Sequence, residues 1–288
     1  MKVRMEGPHI IIEYGQDEIY LFHSIPFGVV HLIGILGSVL FWYFFGVKWY
    51  YFLCTFFVYG IIMSGVTIGY HRYFSHHSFE TSRWFQLFIA FWAMISTQKG
   101  ILWWATTHIE HHIYSDKKGD PHSPHISSFW FSHFIWILTK RSDEINLEKR
   151  IKYFYKFKEL RWLNDNHLWP SIIFGDLIFS LTLFISNSFI EATGMLLIGF
   201  FLPIVLCYHL TFCINSVAHV WGRKKFNTGD ESRNNWLLAL FTFGEGWHNN
   251  HHHKQGRARQ GIEWYEIDIS YYIIFLMGKV KLINSIKT

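Results

Sequence analysis

Four apolar runs arranged as two close pairs set the first limit on what this chain can fold into. A helix needs about 20 apolar residues to cross roughly 30 Å of hydrocarbon. Ile25–Gly46, Trp49–Gly69, Leu168–Ser186 and Gly194–Ser216 have that length. The turn joining the first pair carries one charge, Lys48, and the loop joining the second carries one, Glu191. Each pair reads as a helical hairpin whose backbone groups are satisfied internally, as a waterless environment demands. The segments 71–167 and 218–288 hold nearly all the lysine and arginine. Basic loops tend to stay on the cytoplasmic side, which places both segments and both termini there. The expected fold is an all-α, multi-pass membrane protein, a single domain over 1–288. In it two hairpins, making four transmembrane helices, are capped by a cytosolic helical domain.

Composition agrees. Charged residues make up 16% of the 288 residues, below the roughly 25% of soluble domains. Aromatic residues reach 20%, which suits interfacial belts and apolar cavities. The net charge of +5 is compatible with nucleic acid, anionic lipid or an anionic substrate. Nucleic acid is the weak option, because the basic residues border apolar segments and form no separate arm. Cys54, Cys207 and Cys213 all lie in apolar runs and read as small buried hydrophobes. Glu6, Glu13, Asp17 and Glu18 argue against a cleavable signal peptide.

Against this background the histidines stand out. The chain has 19, and nine fall in four short clusters: His71 and His76 in HRYFSH, His108, His111 and His112 in HIEHH, His219 in NSVAH, and His248, His251 and His252 in HNNHH. In H-x-x-H-H the residues at i, i+3 and i+4 leave one side of a helix, so three imidazoles converge. This pattern occurs twice. His71 and His76 are five apart, about 140° around an α-helix, and are placed to reach different metals across a shared centre. His71 and His219 follow the second and fourth spans closely, so they project from rigid helix ends. A single histidine at a span end is ordinarily an interfacial residue. Two repeats of one ligand pattern plus two span-end clusters are not so explained, and they point to two metals. The remaining histidines, with His77 and His253 beside the clusters, read as structural.

Trp84–Trp104 is apolar enough for a fifth span, but a crossing there would put HIEHH on the opposite side from HRYFSH. Gln86, Gln98 and Lys99 also break its apolar run. We read it as a helix lying in the interface. Imidazole suits iron, zinc, copper or nickel, so spacing does not name the metal. Asp116, Asp120, Glu110, Glu245, Asp230 and Glu231 are candidate acceptors for the outer ring N–H groups.

HRYFSH, HIEHH, NSVAH and FGEGWHNNHH, in this order and between two helix pairs, resemble the membrane fatty acyl desaturases of the stearoyl-CoA, delta-9 type. GDPHSP at 119–124 and TGDESRNNW at 228–236 are similar to the bacterial and cyanobacterial branch. The likeness runs from about Gly65 to Gly261. It implies a cytosolic cap holding two ferrous ions, with the nine clustered histidines as ligands and Asn215 reaching one iron through a water. HIEHH departs from the pattern, since a basic residue commonly follows the first histidine in the family. The implied reaction is oxygen-dependent insertion of a cis double bond into a long saturated acyl chain, with electrons supplied by a separate carrier. No His-Pro-Gly-Gly haem-binding segment is present, so the carrier is expected to be a separate protein, of ferredoxin, rubredoxin-like or cytochrome b5 type. The resemblance also places Thr97, Gln98 and Trp104 near the bend of the acyl chain. Tyr59, three turns before His71, is a candidate for the end of the tunnel, with Val58 and Met63 as equals. Lys140 and Arg141 match a basic pair that meets carrier phosphates in acyl-CoA enzymes; anionic lipid is the equal alternative. The substrate is then an acyl-CoA or an acyl lipid, in a bacterial inner membrane rather than endoplasmic reticulum. Two other readings stand beside this one. One is a histidine-rich diiron hydroxylase, and the other a zinc-binding or zinc-transporting membrane protein, which would place polar ligands midway through its spans.

Overall fold

The computed structural model describes residues 2–6, 9–14, 17–143 and 145–288. Among these, four helices are long and apolar enough to cross a membrane: Ser24–Phe45, Trp49–Ser75, Trp169–Ser186 and Phe189–His219. The second and fourth run past their apolar stretches, so His71 and His219 sit on unbroken extensions of the spans. Of each span's apolar window, 17% is buried in the first and third, against 50% and 56% in the second and fourth. The outer two therefore present bare stripes one turn apart, Leu36, Leu40 and Phe44 on the first and Ile173, Leu177 and Leu181 on the third. Such a stripe requires an apolar surrounding. The fourth span is central and packs against each of the other three.

Polar groups inside this apolar frame are paired, as desolvation requires. At the end far from the histidine clusters, Lys48 pairs with Glu191, and the Tyr51 hydroxyl donates to the same carboxylate at 2.7 Å. His209, the polar intruder in the fourth span, lies in a chain of imidazoles. Its Nε2 meets His31 Nε2 on the first span at 3.3 Å, and its Nδ1 meets His133 Nε2 at 3.1 Å. His133 Nδ1 then meets Ser216 Oγ at 3.0 Å. This chain ties two spans to the short helix Phe129–His133. Both nitrogens of His209 are used in opposite directions, so the three rings form a line and not a chelate.

The expected single interfacial helix over 84–104 is two helices, Arg83–Met94 and Ile101–Tyr114. The chain turns sharply between them, with Thr97 at φ 57° and Lys99 at φ 64°. Buried polar groups at the break explain it. Gln98 donates to Thr211 Oγ1 at 3.1 Å, and Tyr70 donates to the Lys99 carbonyl at 2.6 Å, partners that a continuous helix would leave out of reach. The break frees HIEHH to begin its own helix at a new angle. The fold is mostly helical, as expected, with two small sheets added: strands β1 (Lys2–Glu6), β2 (His9–Tyr14) and β3 (Asp17–Tyr20) form an antiparallel meander, and Glu80–Thr81 pairs with Ile283–Asn284. These strands are too short, and the HIII run too uniform, for a period-two pattern to show.

Candidate dimetal site

The nine clustered histidines meet at one end of the spans in two groups. His71, His76, His108, His112 and His251 form one group, and His111, His219, His248 and His252 the other. Within each group the candidate ligand atoms all lie within 4.8 Å of one another. The two H-x-x-H-H helices do not send three rings to one point. On each helix the i and i+4 rings go to one group and the i+3 ring to the other: His108 and His112 oppose His111, and His248 and His252 oppose His251. The reason is angular. Positions i and i+4 are about 40° apart around an α-helix, while i+3 and i+4 are about 100° apart. Each helix therefore straddles both groups.

His71 and His76 belong to the same group, against the expectation that they serve different metals. The second span is wound as a π-helix over Gly65–Ser75, and the His76 N–H donates to the His71 carbonyl five residues back at 3.2 Å. This i→i+5 winding stacks residues that an α-helix would turn apart, and such segments are frequent at functional sites.

Carboxylates grip the outer ring nitrogens. His111 Nδ1 donates to Asp120 at 3.0 Å, His219 Nδ1 to Asp116 at 2.8 Å and His252 Nδ1 to Asp230 at 2.8 Å. His71 Nδ1 meets Glu245. Four of the six candidate acceptors are so used, while Glu110 pairs with Arg150 and Glu231 with Lys224. Backbone N–H groups fix the acids in turn. Those of Asp116 and His122 donate to Asp120, that of Glu231 to Asp116 and that of Ser232 to Asp230. GDPHSP and TGDESRNNW are thus the loops that deliver aspartates to the imidazoles.

Burial opposes ionisation of Asp116, Asp120 and Asp230, yet the hydrogen bonds and charge of their histidines hold all three well below the usual carboxylate range. Burial, then neighbouring imidazoles, pushes His76, His108, His112, His248 and His251 well below the usual imidazole value. These rings are neutral at pH 7, the form that binds a metal.

Glu245 is placed by its neighbours. Gly244 takes φ 115°, and a Cβ on Gly246 would lie 2.1 Å from the Ala239 nitrogen, a distance no side chain can accept. Gly246→Ala should therefore push the FGEGW turn off its neighbour. The expected result is a loss of about 1–3 kcal/mol of stability with reduced metal content, checked by thermal melting and metal analysis.

Other expectations divide. Gln98 and Trp104 line a buried, largely apolar cavity together with Val66, Phe212, Ile214 and Asn215, and His71, His108, His111 and His248 form its polar wall. Trp104 stacks on His108 at 5.1 Å between ring centres and donates to Gln98 at 3.3 Å. Thr97 is turned to Tyr208, with its Oγ1 2.5 Å from the tyrosine hydroxyl. Tyr59 donates to the Phe241 carbonyl at 2.5 Å. Neither of these two is on the cavity wall. Lys140 and Arg141 face the acidic β3 strand, Lys140 to Glu18 at 3.8 Å and Arg141 to Asp17 at 3.6 Å.

His77 lies against Tyr153 and His253 against Phe226, so neither joins the groups. The side chains of His9 and His23 lie outside the described residues. Sequence reasoning missed His122, which is buried, stacks on His111 at 4.4 Å and also forms the cavity wall. It missed Arg72, whose guanidinium binds Glu245 and both oxygens of Asp268 at 3.0 and 3.2 Å. It also missed Gln260, 3.3 Å from His71 Nδ1. An arginine inside HRYFSH, at the end of an apolar span, was the signal available for Arg72. Nothing in the sequence marks Gln260.

The donor set fits two metals. Facing ring nitrogens lie 3.0 Å apart for His71 and His251, 2.8 Å for His76 and His108, 2.9 Å for His112 and His251 and 3.0 Å for His219 and His248. Two imidazole nitrogens each about 2.1 Å from one ion and at right angles are about 3.0 Å apart. The Nε2 atoms of His111 and His252 are buried with no hydrogen-bond partner among the described residues, as ligands awaiting an ion would be.

Comparison with known proteins agrees with this geometry. Residues 47–272 match the family model for fatty acid desaturases. The Arabidopsis thaliana protein named delta-9 acyl-lipid desaturase 1 is 35% identical over 237 residues, covering 80% of this chain and 73% of its own. An acyl-CoA C20 Delta5-desaturase of Anemone leveillei is 34% identical over 278 residues, covering 93% and 81%. The sn-1 stearoyl-lipid 9-desaturase of Anabaena variabilis is 32% identical over 223 residues, covering 77% and 78%. With its histidines, glycines and aspartates so arranged, the chain belongs to the fatty acid desaturase family.

Proposed function

We propose that this chain introduces a cis double bond, at the delta-9 position, into a long saturated acyl chain by an oxygen-dependent reaction at two non-haem irons. The observation that carries the reading is the pair of imidazole groups, five half-buried or buried rings and four buried ones, set on the wall of an apolar cavity. His71, His76, His108, His112 and His251 would hold one iron, and His111, His219, His248 and His252 the other, with Asn215 as the candidate to reach one of them through a water. When bound, the pair supplies oxygen activation and removal of hydrogen from unreactive methylenes, which no side chain can do.

The protein's part is placement and exclusion of water. Trp104, pinned between His108 and Gln98, forms a stiff wall against which two neighbouring methylenes are held. Misplacement by about 1 Å costs on the order of 10²-fold in rate. Val66, Phe212 and Ile214 give the cavity a surface that an alkyl chain wets and water does not. Substrate is an acyl lipid or acyl-CoA drawn from the bilayer. The basic segments face the cytoplasm of a bacterial inner membrane, and a separate ferredoxin- or cytochrome b5-type protein supplies electrons there.

The test is expression in a desaturase-deficient host, with gas chromatography of fatty acids and metal analysis of the purified protein. Monounsaturated acyl chains and two irons per chain are expected. Zinc without iron-dependent product would overturn the reading, and hydroxylated fatty acid would replace it with a hydroxylase.

A further inference from the structure

The two imidazole groups differ in the charge packed behind them. The four-histidine group is backed by three carboxylates, Asp116, Asp120 and Asp230, each bound to a ring Nδ1 at 2.8–3.0 Å. Their side chains are 5%, 0% and 8% exposed, so solvent and salt screen them little. Their other contacts are neutral donors: Ser123 Oγ to Asp116, the His122 N–H to Asp120, and Thr228 and Ser232 hydroxyls to Asp230. Among the described residues the five-histidine group is backed by one carboxylate on a ring nitrogen, Glu245, which shares the buried Arg72 guanidinium with Asp268. Among the described residues, three acids without a Lys or Arg partner thus stand behind four rings, whereas behind five stands one acid that shares a single guanidinium with Asp268.

Negative charge nearby favours the more highly charged ion. A ring that donates its outer N–H to a carboxylate is also a more basic ligand at its other nitrogen. Resting on the diiron reading above, we infer that Asp116, Asp120 and Asp230 make the four-histidine position the one that is oxidised first and holds the ferric ion in a half-oxidised centre. The aspartates act through the rings and are positioning residues, since they touch neither the metal nor the substrate.

The test uses iron-57-loaded full-length protein, reduced and then titrated with ferricyanide. One electron leaves each iron pair as one ferricyanide becomes ferrocyanide. Mössbauer spectra of the half-oxidised protein should show one ferric environment. Asp120→Asn and Asp230→Asn should each move that ferric doublet and disfavour oxidation about tenfold, 59 mV upward for a one-electron couple. Asp120→Glu should restore the potential, and Glu245→Gln, compared at equal iron loading, should move the ferric doublet less than either aspartate variant.

A ferric doublet that follows Glu245→Gln and ignores the aspartates would overturn the inference. So would ferric iron divided equally between two environments in the unaltered protein, a result readable even if the variants fail to hold metal. If the unaltered protein binds no iron, the diiron reading falls and this inference with it. If it binds iron and makes unsaturated product but the ferric doublet follows Glu245, the inference alone fails.

Discussion

His251→Ala and His111→Ala should each yield protein that inserts in the membrane at normal abundance and makes no detectable unsaturated product. The two variants probe different groups. His251 faces His71 and His112 in the five-membered set, and His111 belongs to the four-membered set. Losing only an outer carboxylate partner typically costs 10- to 100-fold in metal affinity or activity, and losing the ligand itself should cost more. Both side chains lie in the cap, outside the four spans, so the apolar contacts that hold the hairpins in the bilayer are unchanged. Gas chromatography reads the product, and metal analysis should show each variant holding fewer than two irons. Undiminished product from either one would remove that histidine from the ligand set.

The second large effect is expected at Arg72. This guanidinium is buried and all its donors are used: Nε to the Ala258 carbonyl at 2.8 Å, Nη1 to the Thr67 carbonyl at 3.1 Å and to Glu245, and Nη2 to Asp268. Arg72→Met would strand two buried carboxylates, Glu245 and Asp268, without their cation. Breaking a buried pair from one side costs about 3–5 kcal/mol, on the order of 10 °C in melting temperature for a chain this long. Glu245 would also lose the partner that aims it at His71, so metal content should fall together with stability. A thermal melt and iron analysis of Arg72→Met beside Arg72→Lys would check this. A Met variant as stable and as metal-rich as the parent would show that the acids need no counter-charge.

How much of this was legible beforehand depended on whether the cause was local. Span lengths and histidine clusters are local patterns, and the number of long apolar helices and the convergence of the nine rings followed from them. The angular split of each H-x-x-H-H helix was also within reach of helix geometry, but treating i+3 and i+4 as one face hid it. The joint placement of His71 and His76 was not, because nothing in GVTIGYHRYFS announces π winding. Tertiary partners set the rest. The break at 95–100 depends on Thr211 and Tyr70, and Arg72 depends on Asp268, 196 residues away. Lys140 and Arg141 read by sequence as a basic pair for carrier phosphates or for anionic lipid, and their proximity to Asp17 and Glu18 on the meander was not visible there. No period or motif encodes such pairings.

The straddling helix His248–His253 has a consequence for how the enzyme is made. It gives His251 to one group and His248 and His252 to the other, so neither can be completed before that late segment has left the ribosome. By then all four spans have been synthesised. A metal held by either group must therefore enter after the spans are made. Once there, it fastens the segment between the hairpins to the segment after them, acting as a removable clasp on the finished cap.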